Sequence, residues 1–146
     1  MAEVKYESKV TRALANAEDV YAVLSDLSNL EKVRDLIPQD KIKEMEFDQD
    51  YARFKVDGLG QKVCIRIVER EPEKTVKFGV ENIPVQANMW IQMKQMGEND
   101  TRLRLTIKAD MPVMFKMMLD KKMQEGIDQA ADMLAQMPYQ QWRRQS

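Results

Sequence analysis

Histidine is missing altogether and cysteine occurs once, at Cys64. The first absence removes Ser-His-Asp and Cys-His nucleophilic chemistry, ordinary zinc sites and the commonest general base near neutral pH. The second rules out an internal disulfide and agrees with a reducing compartment. No apolar run approaches the ~18 residues that a membrane-spanning helix requires, so membrane insertion is not expected. The start, MAEVKYESKV, carries a charge every second or third residue; it reads as neither a secretory signal nor an anchor, and the cytoplasm is the expected location. Neither sign of charge dominates. The 23 Lys and Arg against 24 Asp and Glu leave a net charge of −1, which supplies no electrostatic footprint for a nucleic-acid backbone, and no nucleic-acid partner is expected. Metal-ligand spacing and phosphate-cradling glycine motifs are lacking, so no metal and no cofactor are expected.

What is present suits one folded domain over residues 1–146, with 44% hydrophobic and 32% charged residues and no linker. The organising stretch is Pro112 to Met137. Leu119, Met123, Ile127, Ala130, Leu134 and Met137 follow steps of three and four, which stacks them into one apolar stripe on a helix roughly 39 Å long. Val4 to Arg12 alternates with period two and predicts the first strand. Asn16 before Ala17-Glu18-Asp19 reads as an N-cap, and Ser28 with Glu31 as a capping box. Short helices are predicted over Ala17 to Asp26 and Asn29 to Asp35, before Pro38.

From Lys41 to Asp110 short alternating runs are separated by turn residues, which predicts six more strands. They cover Ile42 to Phe47, Tyr51 to Val56, Gln61 to Arg70, the segment around Val76, Phe78 and Val80, Val85 to Met96, and a last run with Leu103, Leu105, Ile107 and Ala109 inward. Hairpin-length connections make neighbours antiparallel. A sheet with one dry face, followed by a helix with one apolar stripe, gives an α+β fold in which a curved seven-stranded antiparallel sheet wraps the C-terminal helix.

This order of elements resembles the helix-grip fold of the START-like (SRPBCC) superfamily. The segment Lys9 to Pro38, with Asp26-Leu27-Ser28-Asn29-Leu30 at its centre, looks like the opening of bacterial polyketide cyclase/dehydrase-like members. The chain departs from the commoner pattern after the second helix, where Glu31-Lys32-Val33-Arg34-Asp35 replaces a Trp-Pro continuation. The resemblance implies a cavity between sheet and helix, bordered by the loops after the third and fifth strands. That carries over to gate positions at Leu59 in Asp57-Gly58-Leu59-Gly60 and Ile83 in Asn82-Ile83-Pro84.

The expected pocket wall is Phe54, Ile65, Ile67, Phe78, Val80, Met89, Ile91, Met93, Leu105 and Ile107 from the sheet, and Phe115, Leu119, Met123 and Ile127 from the helix, the last four nearest the mouth. Methionine is the compositional outlier at 12 residues, many of them in or beside the last helix, and thioethers repack readily around ligands or simply fill an irregular core. Gly126 inside the helix is costly unless backbone or ligand comes close. For catalysis, Tyr51, Arg53, Glu69 and Glu81 reach a cavity only if a bulge shifts the register, so no catalytic residue is assigned. The leading expectation is a binding protein for a lipid-like or aromatic small molecule, which requires an enclosed cavity above about 300 Å³; a structure without one would count against it. The alternatives are an enzyme of the polyketide cyclase/dehydrase type, and an interaction module using Trp90 and the tail Tyr139-Gln140-Gln141-Trp142-Arg143-Arg144, for which a homodimer is the implied partner.

Overall fold

The structure, a computed structural model, describes residues 2–36, 40, 42–56, 62–83 and 85–144. Pro38, the connection at 57–61 and hence Leu59 lie outside the described residues. The chain runs through β1 (Ala2–Glu7), β2 (Thr11–Ala13), α1 (Ala17–Leu24), a 3-10 helix (Leu27–Leu36), β3 (Ile42–Phe47), β4 (Tyr51–Val56), β5 (Lys62–Glu71), β6 (Thr75–Glu81), β7 (Gln86–Gly97), β8 (Asp100–Met111), α2 (Val113–Gln136) and α3 (Tyr139–Arg144). The strands form one antiparallel sheet in the order β1-β8-β7-β6-β5-β4-β3, with β2 also on β8. Its concave face carries the core: Val4 and Tyr6, Ala52, Val76 and Phe78, Ile91 and Met93, and Leu103 and Leu105 are all buried.

The sheet has eight strands where the alternation predicts seven, because the first run is split. From Glu7↔Thr106 to Thr11↔Leu103 the edge strand takes four steps while β8 takes three. Ser8 bridges the extra residue: its N–H donates to the Leu105 carbonyl (2.8 Å), and the Leu105 N–H donates to Ser8 Oγ (2.9 Å). The bulge turns Val10 outward, although the alternation places it with Val4 and Tyr6. A second bulge, at Val68 of β5, puts Arg70 opposite the inward-facing Val76. Arg70 therefore reaches under the sheet end, where it donates to the Ser25 carbonyl (3.0 Å) and to Asp50 (2.7 Å) and so ties the end of α1 to the β3–β4 turn.

Asn16 is the N-cap of α1 by backbone conformation, but its side chain does not bond the helix. Asn16 Oδ1 accepts from Asn99 N–H (2.8 Å) and Gln95 Nε2 (3.0 Å), while Gln95 Oε1 takes the Ala17 N–H (2.9 Å). The orphan donor at the helix start is thus satisfied from β7. The expected capping box does not form either: Asp26 accepts from both the Ser28 N–H and the Ser28 hydroxyl, and the following segment winds as a 3-10 helix.

The C-terminal helix is where expectation and structure differ most. Only Ile127, Ala131 and Leu134 of α2 are buried, with Met123, Ala130 and Met137 packed partly against the core. Polar fastenings hold α2 along the β1–β2 edge. Tyr6 O–H donates to Asp120, Lys9 N–H to Asp128 (2.7 Å), Thr11 Oγ1 to the Ala131 carbonyl (3.1 Å) and Gln124 to the Glu7 carbonyl (2.9 Å). Lys9 also pairs with Asp132 at 2.8 Å. The helix therefore lies on one margin of the sheet, and the stripe read from spacing is covered only in its second half. Pro138 then turns the chain into α3, which the sequence leaves as a free tail. Tyr139 is among the most buried residues of the protein, its hydroxyl donating to the Leu134 carbonyl (2.6 Å), and burial pushes its phenol pKa up.

Candidate functional site

The concave face, α1, the 3-10 helix and the ends of α2 and α3 enclose a half-open cavity of about 270 Å³. Its floor is Ala52, Phe54, Ile65, Phe78, Met89 and Ile91. Its roof is Val23 and Leu24 of α1 with Leu27, Leu30 and Val33 of the 3-10 helix. Leu134, Met137 and Trp142 close one side, and Ile42 and Met45 of β3 the other. The cavity is half-open and smaller than the enclosed space above about 300 Å³ expected from the sequence, so that condition is not met; it exceeds the ~150 Å³ that suffices for a benzene ring.

Among the described residues, the polar groups at this cavity already have partners. Asp26, the one ionisable side chain lining it among the described residues, accepts from Ser28, and Asn29 donates to the Val23 carbonyl (2.9 Å). The Trp142 ring has the Lys32 ammonium 5.8 Å from its centroid, at the solvent side. The residues considered for acid–base chemistry lie elsewhere. Arg53 and Arg66 flank the Tyr51 ring at 5.3 and 5.4 Å on the convex face, Arg66 pairs with Glu81 at 2.8 Å, and Glu69 is exposed. The β5 bulge delivers Arg70, not Glu69 or Arg53, toward the inner side. Cys64 is a buried free thiol away from the cavity, and no cluster of three acidic or sulfur ligands occurs among the described residues.

Of the expected wall, Phe54, Ile65, Phe78, Met89 and Ile91 come together at the cavity. Ile67, Met93 and Leu105 are buried in the core beside it, Ile107 packs partly against that core, and Val80 is half-buried near the far end of β6. The helix contributes by its opposite end: Leu134 and Met137 line the cavity, Ile127 and Met123 join the core, and Phe115 and Leu119 are exposed. Ile83 is half-buried and not part of the lining. The spacing misses the roof. Leu27, Leu30 and Val33 stand three apart, the 3-10 period, and that is the signal that marks them. Trp142 is missed because its enclosure depends on α3 folding back over α1, where Arg143 approaches Asp19 (3.6 Å) and Glu18 (3.7 Å).

A wider groove of about 830 Å³ runs outside the fold between β2 and the α2–α3 junction. It opens broadly to solvent and is bordered by the Lys9–Asp132 ion pair, so it lacks the enclosed apolar surface that holds a small ligand. Of the described helices, none is long and apolar enough to cross a membrane.

No family model matches the sequence, and no curated protein matches it. Solved structures do. Norcoclaurine synthase from Thalictrum flavum, in complex with dopamine and hydroxybenzaldehyde, superposes with a TM-score of 0.70 at 14% identity, over 92% of this chain and 85% of that one. A START superfamily protein from Mycobacterium smegmatis matches with a TM-score of 0.56 at 12% identity, over 90% and 98% of the two chains. A conserved protein from Geobacillus kaustophilus matches with a TM-score of 0.54 at 19% identity, over 73% and 74%. At such identities the likeness is one of backbone architecture, and in that architecture the chain has the START-like, helix-grip fold.

Proposed function

We propose that this protein binds a small apolar molecule, of one or two rings or a short acyl chain, in the cavity between the concave face and the 3-10 helix. The observation that carries this reading is the lining itself: among the described residues it is apolar apart from Asp26 and Asn29, and both of these are engaged by neighbouring backbone or side-chain groups. Apolar surface left uncovered in this way is stabilised by an apolar occupant, at roughly 25 cal/mol for each Å² removed from water. The volume favours a compact ligand over a whole diacyl lipid. The norcoclaurine synthase relative was solved with small aromatic molecules, dopamine and hydroxybenzaldehyde, which are of the size this cavity suits. Binding is favoured over turnover because no pair of ionisable groups faces the space among the described residues.

Native mass spectrometry of the protein purified from cells, before and after extraction with organic solvent, tests this reading together with titration of N-phenyl-1-naphthylamine. The expected result is an adduct of small mass that extraction removes, and saturable enhancement of probe fluorescence that the extracted material competes away. Neither adduct nor saturable probe binding would overturn it.

A further inference from the structure

The first two turns of α2 carry large apolar side chains into water. Met117 is 77% exposed, Met114 74% and Met118 70%, and Val113, Phe115 and Leu119 are also exposed. At 3.6 residues per turn these six positions sweep about 240° of the helix circumference, so the tip is apolar nearly all round and not along one seam. The remaining arc holds Lys116 and Asp120, which pair with each other (3.1 Å) while Asp120 also receives the Tyr6 hydroxyl. One turn further on, Lys121 and Lys122 are exposed and make no ion pair among the described residues. On the helix itself Glu125, also exposed, follows Lys121 by four residues and Lys122 by three. Val113 to Glu125 thus carries Lys116, Lys121 and Lys122 against Asp120 and Glu125, a net charge of +1. Asp110 on β8 and Glu3 opposite it on β1 alternate with buried Met111 and Val4 and so sit on the convex face.

We infer that this tip docks the protein peripherally on an anionic lipid surface. Three features select that occupant over a second copy of the chain. A helix-to-helix interface buries one stripe, whereas the apolar surface here surrounds the tip and matches a fluid apolar medium. Seven residues make a tip about 10 Å long, a size comparable to the ~5–10 Å to which apolar surface of an interfacial helix sinks into the headgroup and acyl boundary. The lysine pair then falls at headgroup level, where long cationic side chains meet lipid phosphates. Such contact is peripheral and leaves the rest of the fold in water. It does not depend on what the cavity holds.

The test is cosedimentation of the full chain, without added ligand, with vesicles of phosphatidylcholine alone and of phosphatidylcholine mixed with phosphatidylglycerol. The anionic vesicles are expected to retain the protein more strongly, and added salt to weaken retention. The variant Met114→Glu/Met117→Glu/Met118→Glu is expected to abolish binding. Lys121→Glu/Lys122→Glu is expected to weaken it at least thirtyfold, from two lysines at about 1 kcal/mol each. Leu14→Glu, which changes an equally exposed apolar residue elsewhere, leaves binding unchanged. Retention by neither vesicle overturns the inference, as does retention that survives the methionine substitutions. A dimer in light scattering that those substitutions dissolve would assign the face to a second copy and overturn it equally.

Discussion

Substituting Ala52→Phe asks directly whether the cavity is real space. Ala52 is 1% exposed, sits on β4 between Phe47 and Ile65 in the register, and forms part of the cavity floor. A phenyl ring at this position has to occupy the cavity. The available 270 Å³ is more than the ~150 Å³ known to accept benzene, so the ring fits with space to spare. Burying a phenylalanine side chain contributes about 1.5–3 kcal/mol, offset by roughly 0.5–1 kcal/mol of lost rotamer freedom. The expected net is a stabilisation of about 1–2 kcal/mol, with each kcal/mol worth roughly 2–4 °C in Tm for a chain of this size. The same ring displaces any apolar ligand, so N-phenyl-1-naphthylamine binding should disappear as Tm rises. Calorimetry and probe titration on one preparation read both. If the methionines and leucines around the site in fact close it, the ring overpacks the core instead, at a cost of about 1–3 kcal/mol. A lowered Tm with probe binding intact would refute both the cavity and the binding function drawn from it.

Two further outcomes concern α2 and its fastenings. Gly126 lies in the interior of α2, and a Cβ built there meets nothing within 4 Å, so the close approach that would justify a glycine is absent; Gly126→Ala should stabilise the protein by about 1 kcal/mol in urea denaturation, and a loss of stability would reveal an unrecognised contact. Burial, the hydrogen bond to Asp120 and the Asp120 charge push the Tyr6 phenol up to about 12, so the fold favours its neutral form. That contribution is complete below pH 10 and is lost as pH rises from 10 toward 12; Tyr139, raised in the same direction by burial, adds to the same limb. Tyr6→Phe should therefore cost about 1 kcal/mol at pH 8 and flatten, without removing, the alkaline fall in stability, and an unchanged pH profile would show that the phenol is not held as described.

The strands were legible in the sequence because a half-buried strand leaves a direct trace. Val76, Phe78 and Val80, or Leu103, Leu105 and Ile107, alternate with polar residues and lie in β6 and β8, and the four later strands given explicit bounds appear within one residue of them. Hairpin connections then dictated antiparallel order, and a final amphipathic helix dictated what the dry face must cover. The bulges at Ser8 and Val68 were not legible. Each is one extra residue in one strand, visible only against the partner's register, and each reverses the face of the residues beyond it, exposing Val10 and bringing Arg70 inward.

The candidate site divides along the same line. Phe54, Ile65, Phe78, Met89 and Ile91 follow from strand parity alone, since every second residue of a strand points to the same side. Which end of α2 meets them does not follow, because the apolar stripe from Leu119 to Met137 is the same whichever half is covered. Tyr6, Lys9 and Thr11 settle that choice by fastening α2 along the sheet margin, and Arg143 at Asp19 turns α3 and Trp142 over the cavity. Those bonds join residues more than a hundred positions apart, or two short helices at opposite ends of the chain, and spacing along the sequence carries no trace of them. Periodicity thus determined the layers and their apolar faces; only the tertiary structure decided how far the helix is covered, where the cavity lies, and which apolar surface is left facing water.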